Sequence, residues 1–489
     1  MNNHEHTTEL PLSTSKSNPH SSFYEILSTP YGGRGAFSQN FVPKNTTILT
    51  CAGPYASVII RKFRKEVCAF CFAYAHEHGK IKWPVKALLS APIHKGRKSI
   101  VGKPGSNQET GLWFCSEECL DRWVEINQLS PGERAHCVLE ILSVFERVAI
   151  AIGKSKKDID MLGGLGQMPE ALRSRLAFLD SKLEDKSSSA HFEVTQEYID
   201  ETWALVDGCT EQVSKGKHGV TTVGSIWQEP LGEFELDTAR FVLDGLLRKT
   251  IEGFESRSGP PSLPCVEGSY IVDHTENSIH KTQGRWSDFL QLQNNELPYT
   301  RSNPYMLPAS IRAYLFLKHV ISSLLSSQHR RILAPSRQEH PSLSKEDKKV
   351  TTVLRSLQAA LDTSTDTRAI LGRDPGNVFG LWEIGTPTKD AYALEDGILK
   401  RGENELLGWA AYVFGSYFNH NCRPNLKKRS ANGRGVEFYT LKDISAGEEL
   451  CISYIDEGQD VENRNKQLRD WFFQCACERC SAELAQKFR

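Results

Sequence analysis

Apolar and polar residues follow two different patterns along the chain, and each predicts a different kind of element. From Phe23 to Phe63, short apolar runs are separated by turn signals, which is typical of β-strands. Val436–Tyr454 has the same character and predicts strand, turn and strand. In the middle of the chain apolar residues recur every three or four positions, which predicts helices. These candidates are Arg134–Ile152, Pro169–Lys186, Glu193–Val206, Leu236–Phe254, Ala309–Ser326 and Val350–Leu371.

Polar and biased stretches separate these regions. Residues 1–20 are polar and lack apolar periodicity, which predicts a disordered tail, and they lack the apolar core of a signal peptide. Ser256–Pro264 has the Ser, Gly and Pro content of a linker. The most apolar windows, Arg147–Gly153 and Ala313–Leu325, are too short to span a bilayer. We therefore expect neither a membrane protein nor a secreted one.

Length, composition and charge limit the number of domains and the kinds of partner to be expected. The chain has 489 residues, which suggests about three domains. Lys and Arg total 59 and Asp and Glu total 60, so a polybasic surface for nucleic acid or lipid is disfavoured. Basic clusters occur at Arg61–Lys65, Lys95–Lys98 and Lys427–Arg429. They are solvated faces or, alternatively, a surface for an acidic partner such as a nucleosome. Because no DNA-reading helix is recognisable, we expect no sequence-specific DNA binding.

The cysteines are clustered at spacings typical of metal ligands. Eight of the 13 cysteines belong to this set, namely Cys68, Cys71, Cys115, Cys119, Cys422, Cys475, Cys477 and Cys480. They form C-x2-C, C-x3-C and C-x-C-x2-C groups, with Cys422 alone in polar, turn-forming sequence. Disulfides are rare in cytosolic and nuclear proteins. The spacing therefore favours structural zinc over redox chemistry.

Three further motifs occur in a fixed order. Gly33-Arg34-Gly35 stands at the start of a predicted strand. Far downstream, Asn419–Asn425 has the sequence N-H-N-C-R-P-N, and Gly447–Tyr454 has the sequence G-E-E-L-C-I-S-Y. Together with the cysteine-rich tail Trp471–Cys480, this order resembles the SET-domain protein lysine methyltransferases. Within them it most closely resembles the SET-and-MYND subgroup, in which a MYND-type zinc module splits the SET domain.

The resemblance is sharp over residues 23–63, 111–123 and 377–480 and thin across the helical middle. It departs from the usual N-H-S-C motif at Asn421. It implies an α+β fold, with a mostly β SET core formed by both ends of the chain and a zinc-clamped post-SET tail. The expected parts are a disordered tail (1–20), the N-terminal SET part (21–63), a MYND-like zinc insertion (64–125), a helical insertion (126–370), the C-terminal SET part (371–457) and the post-SET segment (458–489).

The resemblance also implies S-adenosylmethionine as cofactor. The residues that match its binding positions are Gly33, Arg34, Gly35, Asn295, Asn419, His420 and Phe473. Glycine has no Cβ, so its backbone can come close to the methionyl group of the cofactor. Phe473 matches the post-SET aromatic residue that covers the adenine, where a ring face suits a purine.

For the chemistry, the resemblance points to Tyr454 as the residue whose hydroxyl aligns the substrate amine. Phe379, Tyr417 and Trp471 match the walls of the channel that admits the lysine. Only a neutral amine attacks the methyl group, and a lysine with a pKa of about 10.4 is almost fully charged at neutral pH. Desolvation in the channel lowers that pKa. No side chain needs to act as general base, because a water can remove the proton.

The resemblance groups the cysteines into two four-sulfur zinc sites. Cys422, Cys475, Cys477 and Cys480 form the first, which clamps the tail over the cofactor. Cys68, Cys71, Cys115 and Cys119 form the second, in a degenerate MYND-like module. The family's module usually carries two zinc ions. His76, His78, His136 and Cys137 are alternative ligands for another ion, but we expect them to be ordinary side chains and expect two zinc ions in total.

The function predicted from these features is transfer of methyl groups to a lysine of a protein substrate, with a histone as one candidate. The alternative is a non-catalytic SET and zinc scaffold that binds protein partners, chromatin among them. Intact Gly33, Gly35, Asn419, His420 and Tyr454 favour the enzyme. We expect a monomer located in the nucleus, the cytoplasm or both.

Overall fold

The structure is a computed structural model, and it describes residues 23–31, 33–88, 109–128, 135–154, 171–172, 174–176, 193–215, 231–258, 283–333, 345–383, 394–395, 398–399, 405–431 and 433–487. The predicted tail at residues 1–20 lies outside these ranges, as do most of Ser256–Pro264 and most of the predicted helix Pro169–Lys186. None of the helices in the described ranges is both long and apolar enough to cross a membrane.

Strands lie mainly near the two ends of the chain, and helices fill the middle. The strands are β1 (Tyr24–Ser28), β2 (Arg34–Ser38), β3 (Thr47–Cys51), β4 (Ser57–Ile59), β5 (Val85–Leu88), β6 (Glu109–Phe114), β7 (Phe379–Trp382), β8 (Leu394–Glu395), β9 (Ile398–Leu399), β10 (Leu406–Ala410), β11 (Asn419–His420), β12 (Leu426–Ser430), β13 (Val436–Thr440) and β14 (Cys451–Ile452). The helices are α1 (Glu117–Asn127), α2 (His136–Lys154), α3 (Gln196–Lys215), α4 (Glu233–Ser258), α5 (Trp286–Leu290), α6 (Glu296–Ser302), α7 (Met306–Leu333), α8 (Lys345–Asp362), α9 (Thr365–Leu371), α10 (Val461–Leu468) and α11 (Glu478–Lys487).

Strands from the two ends of the chain pair with each other. In one antiparallel sheet, β13 lies between β12 and β3, and in another, β10 lies between β4 and β7. Strands β11 and β14 pair in parallel, with Asn419 beside Cys451 and His420 beside Ile452. The β-rich core therefore needs residues from both ends, and the predicted α+β class is confirmed.

A second set of backbone bonds joins the β1–β2 hairpin to the segment before β14. Val42 and Ile444 exchange two backbone hydrogen bonds, each 2.9 Å long. The Leu450 amide donates to the carbonyl of Ala36 at 2.8 Å. These bonds bring the Gly447–Tyr454 motif alongside the strand that begins after Gly33.

The first two cysteine pairs lie in a small unit built from the β5–β6 hairpin and helix α1. Ser116 begins the helix, because its hydroxyl accepts a hydrogen bond from the Cys119 amide at 3.3 Å. The helix packs on the hairpin through Trp123, whose ring lies edge-on to Phe114 at 6.1 Å between centroids. This packing holds Cys115 and Cys119 at one end of the unit.

Helix α7 is the centre of the helical layer and packs against α2, α4 and α8. Phe316 of α7 is fully buried and meets the ring of Phe145 of α2 edge-on at 5.1 Å. The sequence predicts one helix over Val350–Leu371, but the structure has two, α8 and α9. Ser364 lies between them and donates from both its amide and its hydroxyl to the carboxylate of Asp207, at 2.8 Å each. This distant partner, which local propensity does not reveal, holds the break in place.

Buried ion pairs fasten the helical layer to the N-terminal strands. Arg64 donates to Glu146 of α2 at 2.6 Å and to Asp237 of α4 at 2.9 Å. Asp244 lies about two helical turns after Asp237 in α4. Its carboxylate accepts a hydrogen bond from the Ser57 amide of β4 at 2.8 Å. The two regions therefore share one polar interface as well as a common apolar core.

Candidate active site

The Gly33-Arg34-Gly35 motif lies directly against the N-H motif of β11. Gly33 has a φ of +75°, a conformation that side chains rarely adopt. A Cβ at Gly35 would lie 2.5 Å from Glu449 Oε1 and 2.6 Å from Asn419 Nδ2. A side chain at this position would displace the ends of the Glu449 and Asn419 side chains, so the glycine allows a close approach of backbone to side chains.

Asn419 joins three segments through its side chain. Its Nδ2 donates to the carbonyl of Arg34 at 3.2 Å and to Glu449 Oε1 at 2.8 Å. The amide therefore fixes the start of β2 relative to the G-E-E-L motif. Glu449 was not among the predicted site residues, although its place between Gly447 and Tyr454 was the signal that marked it.

His420 connects the candidate catalytic tyrosine to a cysteine cluster. Its Nδ1 accepts a hydrogen bond from the backbone amide of Tyr454 at 3.1 Å. An amide can only donate, so the proton of the neutral ring is on Nε2, which lies 3.3 Å from Cys422 Sγ. Burial, and secondly the charge of Arg464, lowers the pKa of His420 to about 4. The ring is therefore neutral and donates to the sulfur.

Tyr454 lies in an aromatic group that comes from three segments. Its ring centroid is 5.5 Å from that of His420, 5.7 Å from Trp471 and 6.5 Å from Phe473. The hydroxyl donates to the carbonyl of Phe418 at 3.0 Å. Burial is the main cause that raises the pKa of Tyr454 well above its usual value, and the nearby Glu449 carboxylate adds to it. The group is therefore a neutral hydroxyl in a fixed orientation.

The other two predicted channel residues, Tyr417 and Phe379, have different neighbours. The guanidinium of Arg34 is 5.4 Å from the ring centroid of Tyr417 and donates to the carbonyl of Gln291. Phe379 packs edge-on against Phe438 at 6.0 Å, in a neighbouring group that extends to Phe418. Tyr417 thus borders the glycine motif, whereas Phe379 belongs to the ring group of Phe418, whose carbonyl accepts the hydrogen bond from the Tyr454 hydroxyl.

Asn295 begins helix α6, as the sequence indicates, but its side-chain amide has a structural partner. Its Nδ2 donates to the carbonyl of Pro375 at 2.7 Å, and the residue is 7% exposed. The neighbouring Gln293 has a side chain beside the glycine motif, since a Cβ at Gly33 would lie 3.2 Å from Gln293 Oε1. The assignment of Asn295 to the cofactor stays a prediction, and Gln293 is a second side chain of the same segment near the glycine motif.

The tail cysteines meet Cys422 as predicted. The four sulfur atoms of Cys422, Cys475, Cys477 and Cys480 lie within 4.8 Å of one another. Cys422 Sγ is 3.9 Å from Cys475 Sγ and 3.5 Å from Cys480 Sγ. Tetrahedral zinc with bonds of about 2.3 Å sets its sulfur ligands about 3.8 Å apart, whereas a disulfide needs about 2.05 Å. The residues therefore fit a closed zinc site.

A buried arginine accompanies this cluster. Arg464 of α10 has no exposed surface, and its Nη2 lies 3.4 Å from Cys480 Sγ and 2.8 Å from Glu483. Four thiolates around a divalent ion leave two negative charges, which a guanidinium in this position partly offsets. No cysteine spacing predicts such a residue.

The second cluster has the same form. The sulfur atoms of Cys68, Cys71, Cys115 and Cys119 lie within 4.8 Å of one another, with Cys71 to Cys115 at 3.6 Å and Cys115 to Cys119 at 3.4 Å. In the described residues, these two tetrads are the groups of three or more side chains suited to hold a metal ion.

The nearby histidines have other neighbours. His76 Nε2 lies 3.6 Å from Glu66, and the ring of His78 packs on Trp83 at 5.4 Å between centroids.

Metal analysis of the purified protein is therefore expected to give two zinc ions per chain, one for each tetrad of cysteines. A third equivalent that survives dialysis would show that His76, His78, His136 or Cys137 is a ligand.

Replacing Gly35 with alanine is expected to weaken cofactor binding at least about fivefold, the equivalent of one net hydrogen bond. The added methyl group would push away Glu449 and Asn419, which fix the backbone of Arg34. Calorimetric titration with S-adenosylmethionine measures the change. Gly253→Ala is the matched control, since a Cβ there meets nothing within 4 Å. Equal affinities of the two variants would contradict the prediction.

Comparisons with known proteins agree with this geometry. A family model described as the SET domain matches residues 33–455. The potential protein lysine methyltransferase SET6 of Saccharomyces cerevisiae is 26% identical over 471 residues, which cover 95% of this chain and 96% of that protein. The histone-lysine N-methyltransferase SET5 of Eremothecium gossypii is 38% identical over 77 residues, 16% of each chain. A SET and MYND domain-containing protein of Dictyostelium discoideum is 30% identical over 118 residues, 24% of this chain.

The family match begins at the first glycine of the N-terminal motif and ends one residue after Tyr454. It therefore contains the whole arrangement of Gly33, Gly35, Asn419, His420 and Tyr454, together with the cysteine module and the helical layer between them. On this match and these contacts, the chain belongs to the SET domain family.

Proposed function

We propose that this protein is a protein-lysine N-methyltransferase that uses S-adenosylmethionine. The observation that carries the proposal is the contact of Gly35 with Asn419, from opposite ends of the chain. Tyr454 is held against Phe418 and His420, the two neighbours of Asn419 in sequence. Asn419 and Arg34 are 385 positions apart in sequence and share a hydrogen bond. A relative that matches nearly the whole chain is named a potential protein lysine methyltransferase, which supports the same reaction.

The residues suited to hold the cofactor surround the glycine motif. The backbone of this motif lies against the side chains of Gln293, Glu449 and Asn419, and Asn419 holds it in place through the carbonyl of Arg34. Phe473 is 36% exposed and lies 6.1 Å from the ring of His420, so a ring face is open to an adenine. S-adenosylmethionine would supply a positively charged sulfonium with a transferable methyl group.

Tyr454 is the residue that orients the reacting amine. Its hydroxyl is neutral, and the Phe418 carbonyl fixes the direction of its proton. An oxygen lone pair of that hydroxyl can then accept a hydrogen bond from the substrate amine. Orientation of two bound reactants supplies a large part of the rate gain in such reactions.

The aromatic group around Tyr454 has a second role. The rings around Tyr454 are those of Trp471, Phe473 and His420. They form a largely apolar surface, because His420 is neutral. A lysine amine that enters it loses hydration, which lowers its pKa and raises the neutral fraction able to react. A solvent water removes the proton, so no carboxylate has to act as base.

The substrate we propose is a protein with an accessible lysine, and relatives named histone-lysine N-methyltransferases make a histone one candidate. We propose the nucleus, the cytoplasm or both as its location. Incubation of the purified protein with labelled S-adenosylmethionine, cell extract and separate histones is the test. Labelled lysine in any protein supports the proposal. If neither the extract proteins nor the histones become labelled, the proposal is opposed.

Calorimetry on the same preparation separates the enzyme from the non-catalytic scaffold. An enzyme binds S-adenosylmethionine at sub-millimolar concentration, whereas a scaffold that works through its zinc module has no need of it. Failure to bind the cofactor would favour the scaffold.

A further inference from the structure

A cavity lies where β4, the β5–β6–α1 unit and helices α2 and α4 meet. Its internal volume is about 50 Å³, and a water needs about 10–15 Å³ on the same measure. Charged residues from three regions line it, namely Arg64, Arg240, Asp244 and Arg434. These residues are separate from the candidate active site and from both cysteine clusters.

Two of the three arginines already have partners. Arg64 donates to Glu146 and Asp237 at 2.6 and 2.9 Å. Arg240 makes longer bonds, to Glu146 at 3.3 Å and to the carbonyl of Thr110 at 3.4 Å. Glu146 also pairs with Arg61 at 3.5 Å. Four arginines, Arg61, Arg64, Arg240 and Arg434, are therefore balanced by three carboxylates, Glu146, Asp237 and Asp244, which leaves one positive charge in excess around the cavity.

Arg434 is the cation without a partner. It is 9% exposed, and its buried Nε has no hydrogen-bond partner in the structure. Among the described residues, no carboxylate forms an ion pair with it. Its guanidinium lies 5.9 Å from the ring centroid of Phe72, the residue that follows Cys71. Arginine cannot lose its proton in a protein, and an unpaired buried charge is costly.

The one acidic residue of the lining is occupied elsewhere. Asp244 accepts from the amide of Ser57 at 2.8 Å and from its hydroxyl at 3.4 Å. It attracts Arg434 only at longer range. The cavity thus has space, an excess of positive charge around it and an unused donor at Arg434 Nε, which are properties that an oxyanion site needs.

We propose that this cavity binds a small oxyanion of the size of inorganic phosphate, held by Arg434 and Arg240. A planar guanidinium offers two parallel N–H groups, and these match two oxygens of phosphate. The bound ion would connect the turn before β13 to the β5–β6–α1 unit and to helix α4. It would therefore stabilise the contact between the zinc-binding insertion and the SET core.

The test is a phosphate titration of the full chain at constant ionic strength, followed by thermal unfolding and calorimetry. The wild type is expected to bind about one phosphate and to unfold at least about 2–4 °C higher at saturation, because a ligand of the native state stabilises it. Arg434→Met is expected to lose most of this shift. Arg429→Met, on the exposed strand β12, is the matched control and should keep it. A wild type that shows no phosphate-dependent shift, or an Arg434→Met protein that shows the full one, overturns the proposal.

Asp244→Asn tests the same site in the opposite direction and remains informative if Arg434→Met does not fold. Asparagine keeps an oxygen for the Ser57 amide and removes the negative charge from the lining. The phosphate concentration at half saturation should fall severalfold. An unchanged or higher half-saturating concentration would mean that the Arg434 guanidinium is hydrated and does not bind phosphate. That result would overturn the proposal.

Discussion

Replacing Tyr454 with phenylalanine is expected to slow single-turnover methylation about a hundredfold or more. Positioned polar groups at a reacting centre are worth roughly 2.7–4 kcal/mol, which corresponds to that factor. The change keeps the ring and its contacts with His420 and Trp471, and removes one hydrogen bond to the Phe418 carbonyl. Stability should therefore fall by only about 0.5–1.5 kcal/mol, and cofactor affinity should stay near that of wild type.

Tyr314→Phe is the matched control for this experiment. Tyr314 is buried in the helical layer, and its hydroxyl also donates to one carbonyl, that of Leu361, at 2.8 Å. Both variants thus lose one buried hydrogen bond, but only the Tyr454 variant should lose methylation. A Tyr454→Phe protein that binds cofactor and methylates at the wild-type rate would remove this tyrosine from the mechanism.

Replacing Cys477 with serine is expected to remove one of the two zinc ions and to weaken cofactor binding about tenfold or more. Structural zinc sites contribute folding free energy directly. Without the ion, the tail segment that carries Trp471 and Phe473 loses its anchor at Cys422. If Phe473 then adopts its position in about one molecule in ten, the apparent dissociation constant rises about tenfold.

Cys71→Ser distinguishes this coupling from a general effect of zinc loss. It removes a ligand from the other tetrad, which lies in the unit with helix α1. Both variants should lose one zinc ion, and only Cys477→Ser should lose cofactor affinity beyond its change in stability. Similar cofactor affinities in the two variants would show that the tail does not cover the cofactor.

Residues whose role depends on local geometry or on ligand spacing were predictable from sequence. Gly35 and the eight clustered cysteines belong to this class, because glycine permits a close approach to the backbone and thiolates at chelating spacing suit structural zinc. Residues whose role depends on a distant partner were not predictable. Arg464 is an ordinary charged residue in its own segment, and only the fold buries it against Cys480.

The same distinction explains the elements. Apolar periodicity located the long helices, since burial of one face follows from the sequence of that segment. It missed the break at Ser364, which is held by Asp207 from another helix. It also could not reveal the cavity beside Arg434, because residues from three regions form it.

Pairing between the two ends of the chain has a consequence for its synthesis. Strand β3 needs β13, and the Thr46 amide bonds to Thr440 across 394 positions of sequence. At about 5–20 residues per second, a ribosome takes roughly 20–80 s to supply the missing partner. The helices can form during that interval because their contacts are local. The backbone groups of β3 that pair with β13 stay unpaired until β13 has been made. Nascent chains of this protein should therefore depend on chaperones at their first strands until the last tenth of the chain emerges.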